Sequence, residues 1–98
     1  MTDLTGRFVV VRTYSAGVHA GVLASRDGKA VELTDARRLT YWHLDSGHSL
    51  NGVATTGPSS KSRLSESIPL LQLLEAIEVL PASEAAEKAI REAEVFRE

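Results

Sequence analysis

A two-residue turn signal between two β-rich segments constrains this chain more than any other feature. Asp27 and Gly28 separate residues 18–25 from residues 30–34, and both flanking segments have the composition of short strands. Asp-Gly is typical of a type I′ turn, because both central positions of that turn require a positive φ. The pattern therefore predicts an antiparallel β-hairpin in the first third of the chain.

Further strands are predicted on both sides of this hairpin. Residues 7–14 are β-branched and aromatic, and successive side chains of such a strand face opposite sides. Asp35 is expected to begin another turn, and residues 37–44 to form a fourth strand. Four short strands at this spacing indicate an antiparallel meander. After them, Ser49 is a suitable N-cap for one helical turn, and residues 55–62 predict a surface loop.

The second half of the chain contains one ambiguous segment. Residues 68–80 suit a helix, because Pro69 is favourable in a first helical turn, but apolar residues at every second position also suit a strand. Pro81 ends either element. Ser83 then caps a predicted helix from Glu84 to about Phe96. The residues on its apolar face are Ala86, Ala89, Ile90, Ala93 and Phe96.

These elements predict a single small α+β domain over residues 1–98. Its β-rich body spans residues 7–80 and its C-terminal helix residues 83–97. We expect an antiparallel sheet of five or six strands, rolled or partly closed into a barrel. Because five aromatic residues make a small core, we also expect a homo-oligomer that buries the sheet edge or the alanine-rich helix face.

Composition excludes several classes of protein. The chain has no cysteine, which excludes disulfides and thiolate sites, and no apolar run approaches the ~18 residues of a membrane span. Residues 1–63 carry eight basic and five acidic side chains, whereas residues 64–98 carry three and eight. A net charge of -2 argues against a dedicated duplex-binding protein. It leaves room for a local cationic site that takes a small anion.

Catalytic motifs are missing from the sequence. There is no glycine-rich phosphate loop and no nucleophile elbow. His19, His43 and His48 are too dispersed for a metal signature, so we expect neither a metal nor a cofactor. The protein is therefore expected not to be an enzyme. An enzyme that acts on a phosphodiester through His19 and His43 is the competing hypothesis.

Two segments carry more polar chemistry than packing requires. In residues 12–21 an arginine and an aromatic residue precede small residues that let a ligand approach closely. In residues 35–43 guanidinium groups accompany aromatic rings, a usual way to hold a phosphate and a base. The predicted ligand-binding residues are Arg12, Arg37 and Arg38 for phosphate, Tyr14 and Trp42 for stacking, and Ser15 and His19 for hydrogen bonds.

Both segments also have a purely structural interpretation. The first is a tight turn that needs Gly17, followed by Gly21 against a bulky neighbour. In the second, Trp42 and Leu44 belong to the core and Arg38 extends over them. In either interpretation, strand alternation sends Arg37 and Arg38 to opposite faces, so one pocket receives at most one of these side chains.

The same segments carry a resemblance to a known family. RTYSAGVHAG at 12–21, DGK at 27–29, DARR at 35–38, Tyr41-Trp42 and EAIEVLP at 75–81 are similar to sequences of small uncharacterised proteins of tailed phages and prophages. The resemblance supports a strand at residues 70–79. It implies a location in the host bacterial cytoplasm, with the virion as the alternative, and brings no activity.

Two functional hypotheses follow from the residues and the resemblance. The first is a non-enzymatic phage accessory protein that binds a small anionic, nucleotide-like ligand, as a sponge that counters host defence. It requires arginines for phosphate and an aromatic ring for a base, and both are present. The alternative is a virion structural or assembly protein, or an adaptor that binds a host protein.

Overall fold

Antiparallel strands form most of the structure. The computed structural model describes residues 1–45 and 49–97. The elements within these ranges are β1 (Phe8–Thr13), β2 (Val18–Asp27), β3 (Ala30–Tyr41), α1 (Leu50–Thr55), β4 (Arg63–Leu64), β5 (Ile68–Leu73), β6 (Ala76–Pro81) and α2 (Glu84–Glu92). The predicted α+β class, the strand number and the C-terminal helix are confirmed. Among the described residues, no helix has the length and apolarity needed to cross a membrane.

The six strands form one antiparallel sheet that does not close into a barrel. Strands follow the order β4-β3-β2-β1-β6, and β5 also pairs with β3. The first half of β3 pairs with β5 and its end pairs with β4, so these two short strands share one side of β3. Leu74 and Glu75 alone join β5 to β6, although these strands pair with β3 and β1 respectively. The sheet must therefore coil strongly.

The predicted hairpin is confirmed, with a different turn. Asp27 pairs with Ala30, so the two loop residues are Gly28 and Lys29. Gly28 has a φ of 59° and Lys29 does not have a positive φ, so the turn is of type II′, which takes glycine at its first central position.

Asp35 forms a β-bulge, and the expectation that it begins a turn is wrong. Ala20 pairs with Arg37 and Val22 with Thr34, so two residues of β3 oppose Gly21. Asp35 adopts a φ of 50°, which accommodates the additional residue. The predicted third and fourth strands are consequently one continuous strand, which ends at Tyr41 instead of residue 44.

The central strands are buried on both faces. On one face, Phe8 and Val10 pack with Leu39, Leu64 and Ile90, beneath the two helices. On the other face, the strongly coiled sheet encloses a second cluster formed by Val9, Val11, Leu23, Val31, Leu33 and Leu73. We call these the helix-side cluster and the inner cluster.

Residues 68–80 are strands, as one of the two alternatives predicted, but the segment is interrupted at Leu74-Glu75. Ser49 and Ser83 cap α1 and α2 as expected, and each hydroxyl accepts a hydrogen bond from a backbone N–H in the first turn. Helix α2 ends at Glu92, so the expectation that it continues to Phe96 is wrong. Beyond it, Phe96 donates its backbone N–H to the carbonyl of Leu64.

Candidate functional site

A cleft of about 340 Å³ lies beside β3 where β4 gives way to β5. The ladder between β3 and these strands is interrupted here, because Leu39 pairs with Leu64 and Ala36 pairs with Ile68. The residues between the two pairs diverge and leave space between the strands. The residues that line the cleft include His19, Arg38, Ser65, Glu66, Ile68 and Leu71. We call it the His19 cleft.

His19 presents a buried hydrogen-bond acceptor. Its side chain is fully buried, and Nε2 lies 2.8 Å from the carbonyl oxygen of Ala16. A carbonyl oxygen can only accept, so Nε2 carries the hydrogen and Nδ1 of the neutral ring is an acceptor. Nδ1 is buried and makes no hydrogen bond to any described residue. Buried polar atoms without a partner are rare and mark sites that a ligand or water can complete.

The environment of His19 keeps the ring neutral. Burial lowers the pKa of His19 below its ordinary value of 6.5, and the positive charge of Arg38 lowers it further. The hydrogen bond to Ala16 opposes both effects. Because burial dominates, the acceptor at Nδ1 persists at neutral pH.

Arg38 places a positive charge beside His19. The two residues are cross-strand partners, so their side chains share one face of the sheet. Arg38 is exposed, and its backbone N–H donates to Ser65 Oγ. The cleft therefore combines a cation and an inner acceptor with apolar side chains of β5, Ile68 and Leu71.

Arg37 borders the same cleft, but its guanidinium bonds to backbone carbonyls. Nε donates to the carbonyl of Ser65 at 2.7 Å, and Nη1 donates to those of Ile90 and Ala93 at 2.7 and 2.6 Å. These bonds attach the end of α2 to the sheet, where a cation is favourable for the helix dipole. Burial lowers the pKa of Arg37, partly opposed by the charge of Glu66. As strand alternation predicts, the side chains of Arg37 and Arg38 lie on opposite faces of the sheet.

Three further predicted ligand-binding residues lie outside the lining of the cleft. Arg12 Nε lies 2.6 Å from a carboxylate oxygen of Glu78 on β6. Ser15 Oγ donates to the carboxylate of Glu75 at 2.7 Å. Tyr14 is 78% exposed, and its backbone N–H donates to the carbonyl of Glu75. The structure thus does not bring these side chains together with His19 and Arg38.

The tight-turn interpretation of the 12–21 segment is confirmed. Thr13 Oγ1 donates to the carbonyl of Gly17 and accepts from the N–H of Ala16. Gly17 has a φ of 85°, which favours glycine. The turn also positions the Ala16 carbonyl that orients His19, so its polar residues act on the cleft indirectly.

Trp42 packs against the core, as the structural interpretation predicts, whereas Arg38 lines the His19 cleft, which contains neither Trp42 nor Leu44. The half-buried side chain of Trp42 packs against the helix-side cluster, and Leu44 is buried within that cluster. His43 lies outside the lining of the His19 cleft, and its Nδ1 lies 2.8 Å from Ser59 Oγ. His48 lies outside the described residues.

The sequence did not indicate a second feature next to the cleft. A groove of about 430 Å³ contains Tyr41, Arg63 and Phe96, and it shares Thr40, Ser65 and Glu66 with the His19 cleft. The three residues come from the end of β3, from β4 and from the segment after α2, and strand pairing brings them together. We call it the aromatic groove. The sequence signal is limited to the aromatic character of Tyr41 and Phe96, because their exposure is known only from the structure.

Comparison with known proteins gives a family and no activity. A family model described as "Domain of unknown function (DUF6948)" matches residues 6–90, which is most of the chain. No curated protein and no solved structure matches. A functional assignment must therefore come from the residues of the site.

Proposed function

We propose that this chain, which belongs to the DUF6948 family of domains of unknown function, is a non-enzymatic protein that binds a small anionic, nucleotide-like ligand in the His19 cleft. The proposal builds on His19 and Arg38, two predicted ligand-binding residues that are cross-strand partners and line the cleft.

The carrying observation is the buried Nδ1 of His19, which has no hydrogen-bond partner in the part of the chain that the structure describes. An unsatisfied buried polar atom costs roughly 1–3 kcal/mol. A ligand N–H or O–H group recovers this energy when it displaces the side chains that cover Nδ1 and donates to it. The exocyclic amine of a nucleobase is such a donor.

The surroundings of His19 supply the remaining contacts for such a ligand. The guanidinium of Arg38 offers charge-assisted hydrogen bonds to a phosphate, while Ile68 and Leu71 offer an apolar surface to a ring. The carboxylate of Glu66 can accept from a sugar hydroxyl. A cleft of about 340 Å³ falls at the lower end of ligand-site volumes, which suits a base or a similarly small group.

The biological role is proposed from the resemblance to phage and prophage proteins. We place the protein in the host bacterial cytoplasm, where it sequesters a nucleotide signal of host defence. We also propose a homo-oligomer. Exposed apolar side chains near the β5–β6 connection support self-association, namely Leu70, Leu74 and Ile77.

The experiment is a thermal-shift screen followed by isothermal titration. The panel contains adenosine monophosphate, linear dinucleotides, cyclic di- and trinucleotides and ADP-ribose isomers. At least one compound should stabilise the protein, because a ligand that binds the folded state raises its melting temperature. In titration, Arg38→Ala should lower affinity by about 10- to 150-fold, the equivalent of one charged hydrogen bond.

Arg12→Ala is the matched control. It removes an exposed arginine of similar chemistry that pairs with Glu78 outside the cleft, so affinity should stay within about threefold. The proposal fails if no compound of the panel binds. It also fails if Arg12→Ala and Arg38→Ala reduce affinity equally.

The second candidate is a virion structural or assembly protein, or an adaptor to a host protein. The exposed apolar side chains of Leu70, Leu74 and Ile77 favour it, since exposed apolar side chains suit contact with a protein partner equally well. Mass spectrometry of purified particles distinguishes the two candidates. Many copies per virion would support the structural role, and absence from the particle would support the accessory role.

A further inference from the structure

The aromatic groove holds an arginine in a fixed orientation. The Arg63 guanidinium carbon lies 4.6 Å from the ring centre of Phe96 and 5.6 Å from that of Tyr41. Cation–π contacts with two rings restrict the guanidinium plane. Within residues 1–45 and 49–97, the Arg63 side chain has no hydrogen bond or ion pair, so its N–H groups can bind an anion.

The groove is continuous with the His19 cleft. Thr40, Ser65 and Glu66 line both, so a single ligand can cross from one to the other without leaving the surface. Arg63 pairs with Tyr41, three residues along β3 from Arg38. From strand geometry, the Cα atoms of the two arginines are on the order of 10 Å apart. The paired sites suit a ligand with two ring systems joined by an anionic linker.

We infer that the aromatic groove is a second subsite and that the ligand is a dinucleotide. The inference rests on the proposed function of the His19 cleft. One base enters that cleft and donates its amine to His19 Nδ1. The phosphodiester lies between Arg38 and Arg63, and the second base stacks on the exposed ring of Phe96.

Glu66 favours a diester over a terminal phosphate. Its side chain lines the boundary between the two subsites, beside the position assigned to the linker. A carboxylate repels a phosphate, and it repels the doubly charged terminal form more than the singly charged diester. The same carboxylate can accept a hydrogen bond from a ribose hydroxyl. The arrangement of two cations with one carboxylate between them therefore fits two nucleosides joined by one phosphate.

The test compares two probes by isothermal titration: adenosine monophosphate and the 3′,5′-linked dinucleotide of two adenosines. Stacking of the second base should make the dinucleotide bind roughly tenfold or more tightly. Phe96→Leu removes the ring and keeps an apolar side chain, so the dinucleotide should lose the affinity that stacking of its second base contributes. Monophosphate affinity should not change.

Two variants control for an indirect effect. Phe96→Tyr keeps a ring for stacking and should retain tight binding of the dinucleotide. Tyr14→Ala removes an exposed aromatic side chain outside both subsites and should leave both affinities unchanged. Urea unfolding of Phe96→Leu establishes that the variant is folded.

The outcomes separate this inference from the proposed function. Equal affinity for the two probes, unaffected by Phe96→Leu, overturns the second subsite and leaves the His19 cleft as a site for a smaller ligand. Binding of neither probe, with binding of a panel compound other than a dinucleotide, has the same meaning. Failure of every compound to bind overturns both. Capture of a peptide by the groove without binding of either probe would assign it to a protein partner, and would overturn the inference.

Discussion

The Nε2 atom of His19 lies 2.8 Å from the carbonyl oxygen of Ala16, and this hydrogen bond fixes the tautomer of the buried ring. Ala16 belongs to the turn between β1 and β2, which Thr13 and Gly17 hold closed. With the hydrogen fixed on Nε2, Nδ1 is an acceptor, and it has no partner among the described residues. The turn between β1 and β2 thus determines which nitrogen of His19 is the acceptor that our proposal assigns to a ligand.

The lowered pKa of His19 predicts that the protein loses stability in mild acid. Below about pH 6.5 the unfolded chain protonates this histidine, whereas the folded chain holds it neutral until a lower pH. The free energy of unfolding should therefore decrease as the pH falls from 7 towards the folded pKa, by at most about 1.4 kcal/mol per pH unit.

Urea unfolding between pH 7 and pH 5 measures this dependence. Carboxylates also titrate towards the acid end, so the informative quantity is the difference between the wild type and His19→Gln. The amide of glutamine can still donate to Ala16 but does not titrate. Equal pH slopes in the two proteins would show that His19 is not the responsible group.

Substitution of Arg37 should lower the stability of the protein, whereas substitution of Arg38 should leave stability almost unchanged. Arg37→Ala removes three hydrogen bonds to buried or half-buried carbonyls and detaches the end of α2, so we expect a loss of about 2–4 kcal/mol. Arg38→Ala changes an exposed side chain and should alter stability by less than about 0.5 kcal/mol. Urea denaturation of both variants checks this. Similar losses in both would mean that Arg37 does not hold the helix.

Two glycines should respond differently to alanine. A Cβ at Gly21 would lie 2.7 Å from the carbonyl oxygen of Thr34, so Gly21→Ala should cost roughly 2–3 kcal/mol by disturbing the bulge. At Gly17 no atom of the described residues beyond its chain neighbours lies within 4 Å of the added Cβ, so the φ of 85° is what opposes alanine. Gly17→Ala should cost about 1 kcal/mol. Thermal unfolding of the two variants compares them, and a larger loss at Gly17 would contradict the bulge geometry.

Self-association should depend on the exposed apolar side chains near the β5–β6 connection. We expect light scattering at micromolar concentration to give a mass above the 10.6 kDa of one chain. Leu70→Lys should return the protein to a monomer, because a charge at a buried subunit contact is costly. The alanine-rich face of α2 is not available for a subunit contact, because Ala86 and Ile90 are buried in the helix-side cluster. A monomeric wild type would disprove the oligomer.

The local sequence determined most of the secondary structure. Strand alternation, the turn at Gly28 and the cap at Ser83 depend on neighbouring residues alone, so each could be predicted without knowledge of the fold. Residues 68–80 could not be assigned, because an apolar run of this length satisfies both a helix and a strand. These residues form strands because β5 pairs with β3 and β6 pairs with β1. Asp35 was mispredicted because its bulge exists only opposite Gly21.

The sequence identified side chains that suit a ligand-binding site, but the tertiary structure brings only some of them to the cleft. Glu78 pairs with Arg12, and Glu75 accepts a hydrogen bond from Ser15. Carbonyls at the end of α2 accept hydrogen bonds from Arg37, and Trp42 packs against the core. The partners of Arg12, Ser15 and Arg37 are all distant from them in sequence. His19 and Arg38 share the cleft because cross-strand register places them side by side. The sequence thus determined which functional groups the protein has, and long-range pairing decided which of them remain available to a ligand.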